Sequence, residues 1–196
     1  GFLYIASEVA SMIGGAKVNG KVFEQLKFND KHSDWSNDPD SKLNFVTVGS
    51  NNQPLPQLGL RRVFVLTGPN TCSASESIIN GLAPFVEVIT LGGATCGKPY
   101  GFNQKNYCGT AYFAIEFSGV NHLGQGDYAD GIAPRCNLAD DLEHDLGDRN
   151  ERLLAAAFSY ANTGSCPAAS LGQARQFSLP QQSLPVRPWR QQKVVR

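Results

Sequence analysis

The chain has 196 residues, with 17 lysines and arginines against 17 aspartates and glutamates, and 41% of it is hydrophobic. That is enough for one domain with a sizeable core. Its zero net charge argues against a nucleic-acid binder, which needs a clustered basic surface, and no apolar run approaches the roughly 20 residues of a membrane span.

The chain opens on Gly1, without a signal peptide, and its first residues already have core-helix periodicity. The expectation is a piece of a longer precursor, N-terminally truncated, whose missing leader says nothing about location. Phe2, Ile5, Ala6, Val9, Met12 and Ile13 recur at helical spacing up to a stop at Gly14-Gly15. Lys21 to Phe28 reads as a strand with Val22, Leu26 and Phe28 on one face. Asn29 to Ser41 is a polar loop whose aspartates lack the order of a calcium loop. Leu43 to Val48 reads as another short strand.

Val63 to Leu66 is continuous and β-branched, as expected of a strand covered on both faces. Thr67-Gly-Pro-Asn is a turn, and Ala74, Ile78, Ile79 and Leu82 mark a helix ending near Pro84. Val86 to Leu91 repeats the buried-strand pattern, so this stretch predicts a right-handed βαβ unit with parallel strands. Thr110 to Phe117 alternates as a half-buried strand. Asn137 to Leu146 is predicted as a short helix with Leu138, Leu142 and Leu146 on one side. A firmer helix spans Asp148 to Asn162, with Asp148 and Glu151 at capping-box spacing and Gly164 after its end. Residues 1–166 thus form the domain, and residues 167–196 read as a Gln/Pro/Arg-rich tail with little structure of its own.

Five cysteines are present, Cys72, Cys96, Cys108, Cys136 and Cys166, without the spacing of a zinc site. Cys96 and Cys108 flank a polar loop, and Cys136 and Cys166 bracket a helical segment. Two disulfides with Cys72 left over would suit an oxidising compartment. Five reduced thiols are the alternative, and spacing does not fix the pairing.

Two residues in the βαβ stretch invite chemistry. Ser73-Ala-Ser-Glu76 is a capping box, in which Ser73 ordinarily serves only as a cap. A serine at a tight strand-to-helix turn is also displayed at the strand's C-terminal edge, where α/β sheets bind ligands. The N–H of Ala74 and the helix dipole there favour an oxyanion. Lys98 follows a buried strand in Gly92-Gly-Ala-Thr-Cys-Gly-Lys-Pro-Tyr. Most lysines are solvated surface charges. One held by this turn beside Tyr100 and Phe102 is expected to be desolvated, which favours the neutral amine that can take a serine proton.

Leu66 to Phe102 resembles the active-site region of the tail-specific, or carboxyl-terminal processing, serine peptidases. These carry Ser-Ala-Ser-Glu at a helix start and then Gly-x-x-Thr-x-Gly-Lys, with the lysine base 25 positions after the serine nucleophile. Here Lys98 stands 25 positions after Ser73, and Gly92, Thr95 and Gly97 fall into place. A weaker similarity runs from Gly1 to about Gly164, and Gly131-Ile-Ala-Pro134 resembles the family's strand after the catalytic turn. The resemblance implies an α/β, ClpP/crotonase-like peptidase core, of which this chain is the C-terminal part. It further implies a Ser73/Lys98 dyad, an acyl-enzyme, and an oxyanion hole from Ala74 and Gly1. Glu76 would order the site or only cap the helix. The family commonly places a glutamine four residues after the lysine. Phe102 stands there instead, so Asn103 or Gln104 is the amide available to orient the base. The expected partner is an unfolded or C-terminally exposed polypeptide, the expected location periplasmic or extracellular, and no metal or cofactor is implied.

Three rivals remain. Gly92 to Lys98 also fits the start of a phosphate-binding loop, but Pro99 stands where a magnesium-binding Ser or Thr belongs. A Ser-His-Asp hydrolase would use His122 or His144 with Asp127, Asp130 or Asp141, yet Thr71 and Ser75 occupy the glycine positions of its nucleophile elbow. A non-catalytic relative that only binds peptides is the third, supported by Phe102 and the truncated start.

Overall fold

A computed structural model describes residues 1–167, so the expected tail lies outside the described residues apart from Pro167. Helix α1, Leu3–Gly14, ends where Gly15 takes φ 64°, a left-handed value that glycine adopts without a Cβ penalty. Strand β1, Val22–Phe28, pairs antiparallel with β2, Lys42–Asn44, which is shorter than the strand expected there. A bulge between Val22 and Glu24 leaves Phe23 unpaired in the ladder, and Phe23 and Glu24 are both buried.

The predicted βαβ unit is present. Strand β3, Arg62–Thr67, helix α2, Ala74–Leu82, and strand β4, Glu87–Gly92, follow one another, and β3 pairs parallel with β4 from Arg62↔Glu87 to Thr67↔Gly92. Of the two strands only β4 is well buried. Within the described residues β3 is an edge strand, and Leu66 is exposed.

After β4 come β5, Tyr100–Gly101, β6, Lys105–Tyr107, β7, Thr110–Tyr112, and β8, Phe117–Val120. The single strand expected over Thr110 to Phe117 is therefore broken. Its first part belongs to an exposed β6–β7 hairpin, and Phe117 starts a buried strand in the sheet ordered β2-β1-β8-β5. Strand β9, Cys136–Asn137, joins β4 in parallel and completes the sheet β3-β4-β9. The segment Gly131 to Pro134 is not a strand, but it is stitched to the lysine turn. Ile132 N–H donates to Thr95 Oγ1 at 2.7 Å and Thr95 N–H to the Ile132 carbonyl at 3.1 Å.

No helix forms over Asn137 to Leu146, where Leu142 and Leu146 are exposed. Aspartates take the backbone N–H groups instead: Asp140 accepts that of Asp141 and Asp141 that of Glu143, both at 2.9 Å. Such local bonds compete with a helix. Helix α3 is Arg152–Thr163, later than expected, because Glu151 rather than Asp148 caps it, accepting from the N–H groups of Leu153 and Leu154. Gly164 closes it at φ 73°.

Two cores result. One joins Ala6 and Ala10 of α1, Phe23, Phe45 and Leu82. The other packs Ala156, Ala157 and Tyr160 of α3 against Ile89 and Leu91 of β4. The second is tied by the Cys136–Cys166 disulfide, the pairing whose bracketed helix the sequence marked. The other disulfide joins Cys72 to Cys96, so the leftover cysteine is Cys108, exposed at the tip of the β6–β7 hairpin, and not Cys72. The polar loop after Cys96 therefore runs free of a Cys96–Cys108 clasp. Among the described residues no helix is long and apolar enough to cross a membrane.

Candidate active site

Ser73 lies between β3 and α2 with φ 56° and ψ −119°. These are the angles of the first central position of a type II′ turn, here closed by the Ser75 N–H on the Cys72 carbonyl at 3.2 Å. Glycine is the usual residue at such a position, and a serine held there costs of order 1–3 kcal/mol. The strain persists because the turn is tied from several directions. Ser73 N–H donates to Glu76 Oε2 at 2.8 Å, the Cys96 N–H donates to the Thr71 carbonyl at 3.0 Å, and the Cys72–Cys96 bridge adjoins the serine. The N–H of Ala74 is among the first N–H groups of α2, which have no acceptor within the helix.

Glu76 is fully buried and holds the serine and lysine turns together. Its Oε1 accepts from Thr95 Oγ1 at 2.5 Å and from Gly97 N–H at 2.8 Å, while Oε2 accepts the N–H groups of Ser73 and Lys98, each at 2.8 Å. Four donors satisfy one buried carboxylate, the condition under which a charge is tolerated inside a protein. Glu76 thus does far more than cap a helix. Gly97 and Gly131 fit their turns closely: a Cβ on Gly97 would lie 2.1 Å from the Ala129 carbonyl oxygen and one on Gly131 2.3 Å from that of Thr95.

Ser73 and Lys98 line one cleft of about 470 Å³, together with Gly1, Phe102, Asn103 and Gln104. Gly1 packs beside Ala74, close enough that a Cβ on Gly1 would stand 3.1 Å from the Ala74 Cβ. Lys98 is exposed rather than desolvated, although Thr95 and Pro99 on either side of it in the turn are buried. Its Nζ lies over the Phe102 ring, 5.5 Å from the centroid, and that ring is braced edge-on by Phe113. Among the described residues it makes no hydrogen bond to Ser73 Oγ. The two amides after Phe102 are engaged elsewhere, Asn103 with Glu116 at 3.4 Å and Gln104 with Asn106 at 2.8 Å.

The rival centres are not assembled. His144 pairs with Asp141 at 2.9 Å on the surface, and the His122 ring lies tilted against Phe85, 5.2 Å between centroids. Neither histidine lines the Ser73 cleft, and Asp127 lines a separate hollow of about 600 Å³ beside Val120. Lys98 is followed by β5 and not by the helix of a phosphate-binding loop. One residue of the cleft escaped the sequence reading. Glu24 of β1, nearly buried, shares its wall with Leu26 and Ser77. The available signal was an acid at the period-2 position between Val22 and Leu26.

No family model matches the sequence, and no curated protein matches it at a significant level. Solved structures do match. A candidate S41 protease from Bacteroides fragilis superposes with a TM-score of 0.70 at 22% identity, over 84% of this chain and 42% of that one. A lipoprotein from Streptococcus agalactiae gives 0.53 at 14% identity, over 84% and 51%. A photosystem II D1 C-terminal processing protease gives 0.46 at 17% identity, over 71% and 32%. The chain therefore has the mixed α/β fold of the Bacteroides fragilis protein, and it spans less than half of that protein's length.

Proposed function

We propose that this chain is a serine-type peptidase of the tail-specific, carboxyl-terminal processing kind, and that residues 1–166 are the C-terminal part of its ClpP/crotonase-like catalytic domain. The observation that carries the reading is a serine in a strained type II′ turn, tied through Glu76 to the turn that displays Lys98 in the same cleft. The fold likeness to a candidate S41 protease supports it.

In this mechanism the neutral amine of Lys98 removes the proton of Ser73 as its Oγ attacks a peptide carbonyl. The oxyanion is received by the N–H groups of Ala74 and Gly1. The protonated lysine then gives its proton to the leaving amine, and water hydrolyses the acyl-enzyme. Because Lys98 is exposed, the substrate backbone itself must cover it and swing Nζ from Phe102 towards Ser73. Unfolded or C-terminally exposed polypeptides suit an open cleft of this kind. Two disulfides accord with a periplasmic or extracellular location.

Lys98 turned onto Phe102 favours a second reading, a peptide-binding relative without catalysis. Hydrolysis of an unfolded protein separates the two. Ser73→Ala and Lys98→Ala should each lose at least about 10³-fold in rate. Equal rates in wild type and both variants would remove the dyad.

A further inference from the structure

The lining of the Ser73 cleft includes one carboxylic acid, and the mechanism leaves it idle. Glu24 is 5% exposed, yet it lines the cleft with Ser73 and Ser77. Its carboxyl is pressed against β8, where a Cβ on Gly119 would meet Glu24 Oε1 at under 2 Å, so it cannot withdraw from the cleft in that direction. Leu26, Leu43 and Phe117 line the same cleft and give it apolar surface. The ion pairs among the described residues are Lys105–Glu116 and Asp141–His144, and neither supplies Glu24 with a cation. Burial pushes the carboxyl up from its ordinary range, and the Ser77 hydroxyl offsets this only in part. The hydroxyl of Tyr128 also faces this group and brings no positive charge.

Resting on the peptidase reading, we propose that Glu24 is the floor of the pocket for the side chain of the residue whose carbonyl Ser73 attacks, and that it selects lysine or arginine there. The geometry sets the length. Ser77 lies four residues beyond Ser73 along α2, about 6 Å down the helix axis. A side chain leaving the acyl carbon at Ser73 must cover about that distance to reach Glu24. The four-carbon stem of lysine spans roughly 6 Å, while alanine or serine would stop far short. The stem would lie against Leu26, Leu43 and Phe117, and the ammonium would meet a carboxylate that has no other cation. The substrate class is polypeptides cut after a basic residue.

The test separates recognition from catalysis. Binding of two matched peptides, one with lysine and one with norleucine at the recognised position, is measured by fluorescence anisotropy on Ser73→Ala protein. Lysine should bind about tenfold more tightly or better, and adding Glu24→Gln should bring the ratio close to one. Equal binding of the two peptides, binding of neither, or a preference that survives Glu24→Gln would overturn the proposal. So would tighter binding of the norleucine peptide than of the lysine one. If the Glu24→Gln protein fails to fold by circular dichroism, Glu24→Asp replaces it and should lower the lysine ratio through its shorter reach. In parallel, cleavage sites of wild type on an unfolded protein are mapped by mass spectrometry. Cuts after lysine and arginine support the proposal, and cuts indifferent to them overturn it. Lysine-selective binding without cleavage would refute the peptidase reading and leave the Glu24 subsite standing.

Discussion

The backbone N–H groups of Ser73 and Lys98 donate to the same atom, Oε2 of Glu76, each at 2.8 Å. Two residues 25 apart in sequence are thus held at a fixed spacing by a carboxylate that belongs to neither turn. Glu76→Gln removes the charge and presents an amide N–H₂ where one oxygen received two N–H donors. It should cost about 3 kcal/mol of stability, as expected when a buried charge-assisted cluster loses a member. A shift of the serine relative to the lysine by about 1 Å should lower kcat roughly 10²-fold. Urea unfolding and steady-state hydrolysis measure the two effects. A variant of full activity would show that the clamp does not position the proposed dyad.

The Cys72–Cys96 disulfide ties the same two turns a second time, one residue before Ser73 and two before Lys98. Closing a loop of this length contributes roughly 3 kcal/mol in chain-entropy terms. Reductant should therefore lower hydrolysis at least about tenfold in wild type, and a Cys72→Ser, Cys96→Ser double variant should be equally slow and indifferent to reductant. The Cys136→Ser, Cys166→Ser variant controls for the remote bridge and should keep the reductant response. Activity that ignores reductant in all three would leave the bridge with a stability role alone.

These relationships divide what the chain discloses in one dimension from what it conceals. The βαβ unit was legible because β-branched runs, a capping box and glycine turns agree over Val63 to Gly92. Spacing and motif singled out Ser73 and Lys98 as candidates, and both line one cleft. The Cys72–Cys96 pairing was not, because it depends on two turns meeting across parallel strands. Leu138, Leu142 and Leu146 imitate a helix face, but the aspartates between them take the N–H groups that a helix would need. Phe113 and Ile115 imitate a continuing strand. There the chain turns back to the sheet, with the Glu116 N–H on the Gly101 carbonyl and Lys105 paired to Glu116. Glu24 was passed over because an acid on an apolar strand face has no local partner to announce its burial.

Glu24 also makes stability depend on pH in a set direction. Burial raises its pKa in the folded state above the unfolded value, so the native protein holds this proton more tightly. Its neutral form is tolerated at pH below the unfolded value. Stability is then lost as pH rises through the folded value, where the charge must be buried. Glu24→Gln, neutral at every pH, should have a higher Tm than wild type at pH 8, and the gap should close as the pH falls towards 4. Differential scanning calorimetry across that range decides it. A gap that widens on acidification would mean that the carboxylate is stabilised where it lies.

His144 and Asp141 form a pair whose stability also depends on pH, and they are the residues a histidine-based hydrolase would use. The N–H groups of Glu143 and Arg152 and the His144 ring together hold the Asp141 carboxyl down to about 2. The Asp141 side chain in turn raises His144 above its ordinary value. The attraction is complete while the histidine is protonated, below its unfolded pKa of about 6.5, and fades as pH rises through the folded value. NMR titration should find the His144 ring pKa raised in wild type and returned towards 6.5 in Asp141→Asn. The pair tethers the turn before α3 through the Arg152 N–H at 3.0 Å, and it lies outside the Ser73 cleft. His144→Ala should therefore leave hydrolysis within about twofold of wild type. A loss of 10³-fold, the scale of a missing catalytic base, would assign to His144 the proton-accepting role proposed for Lys98.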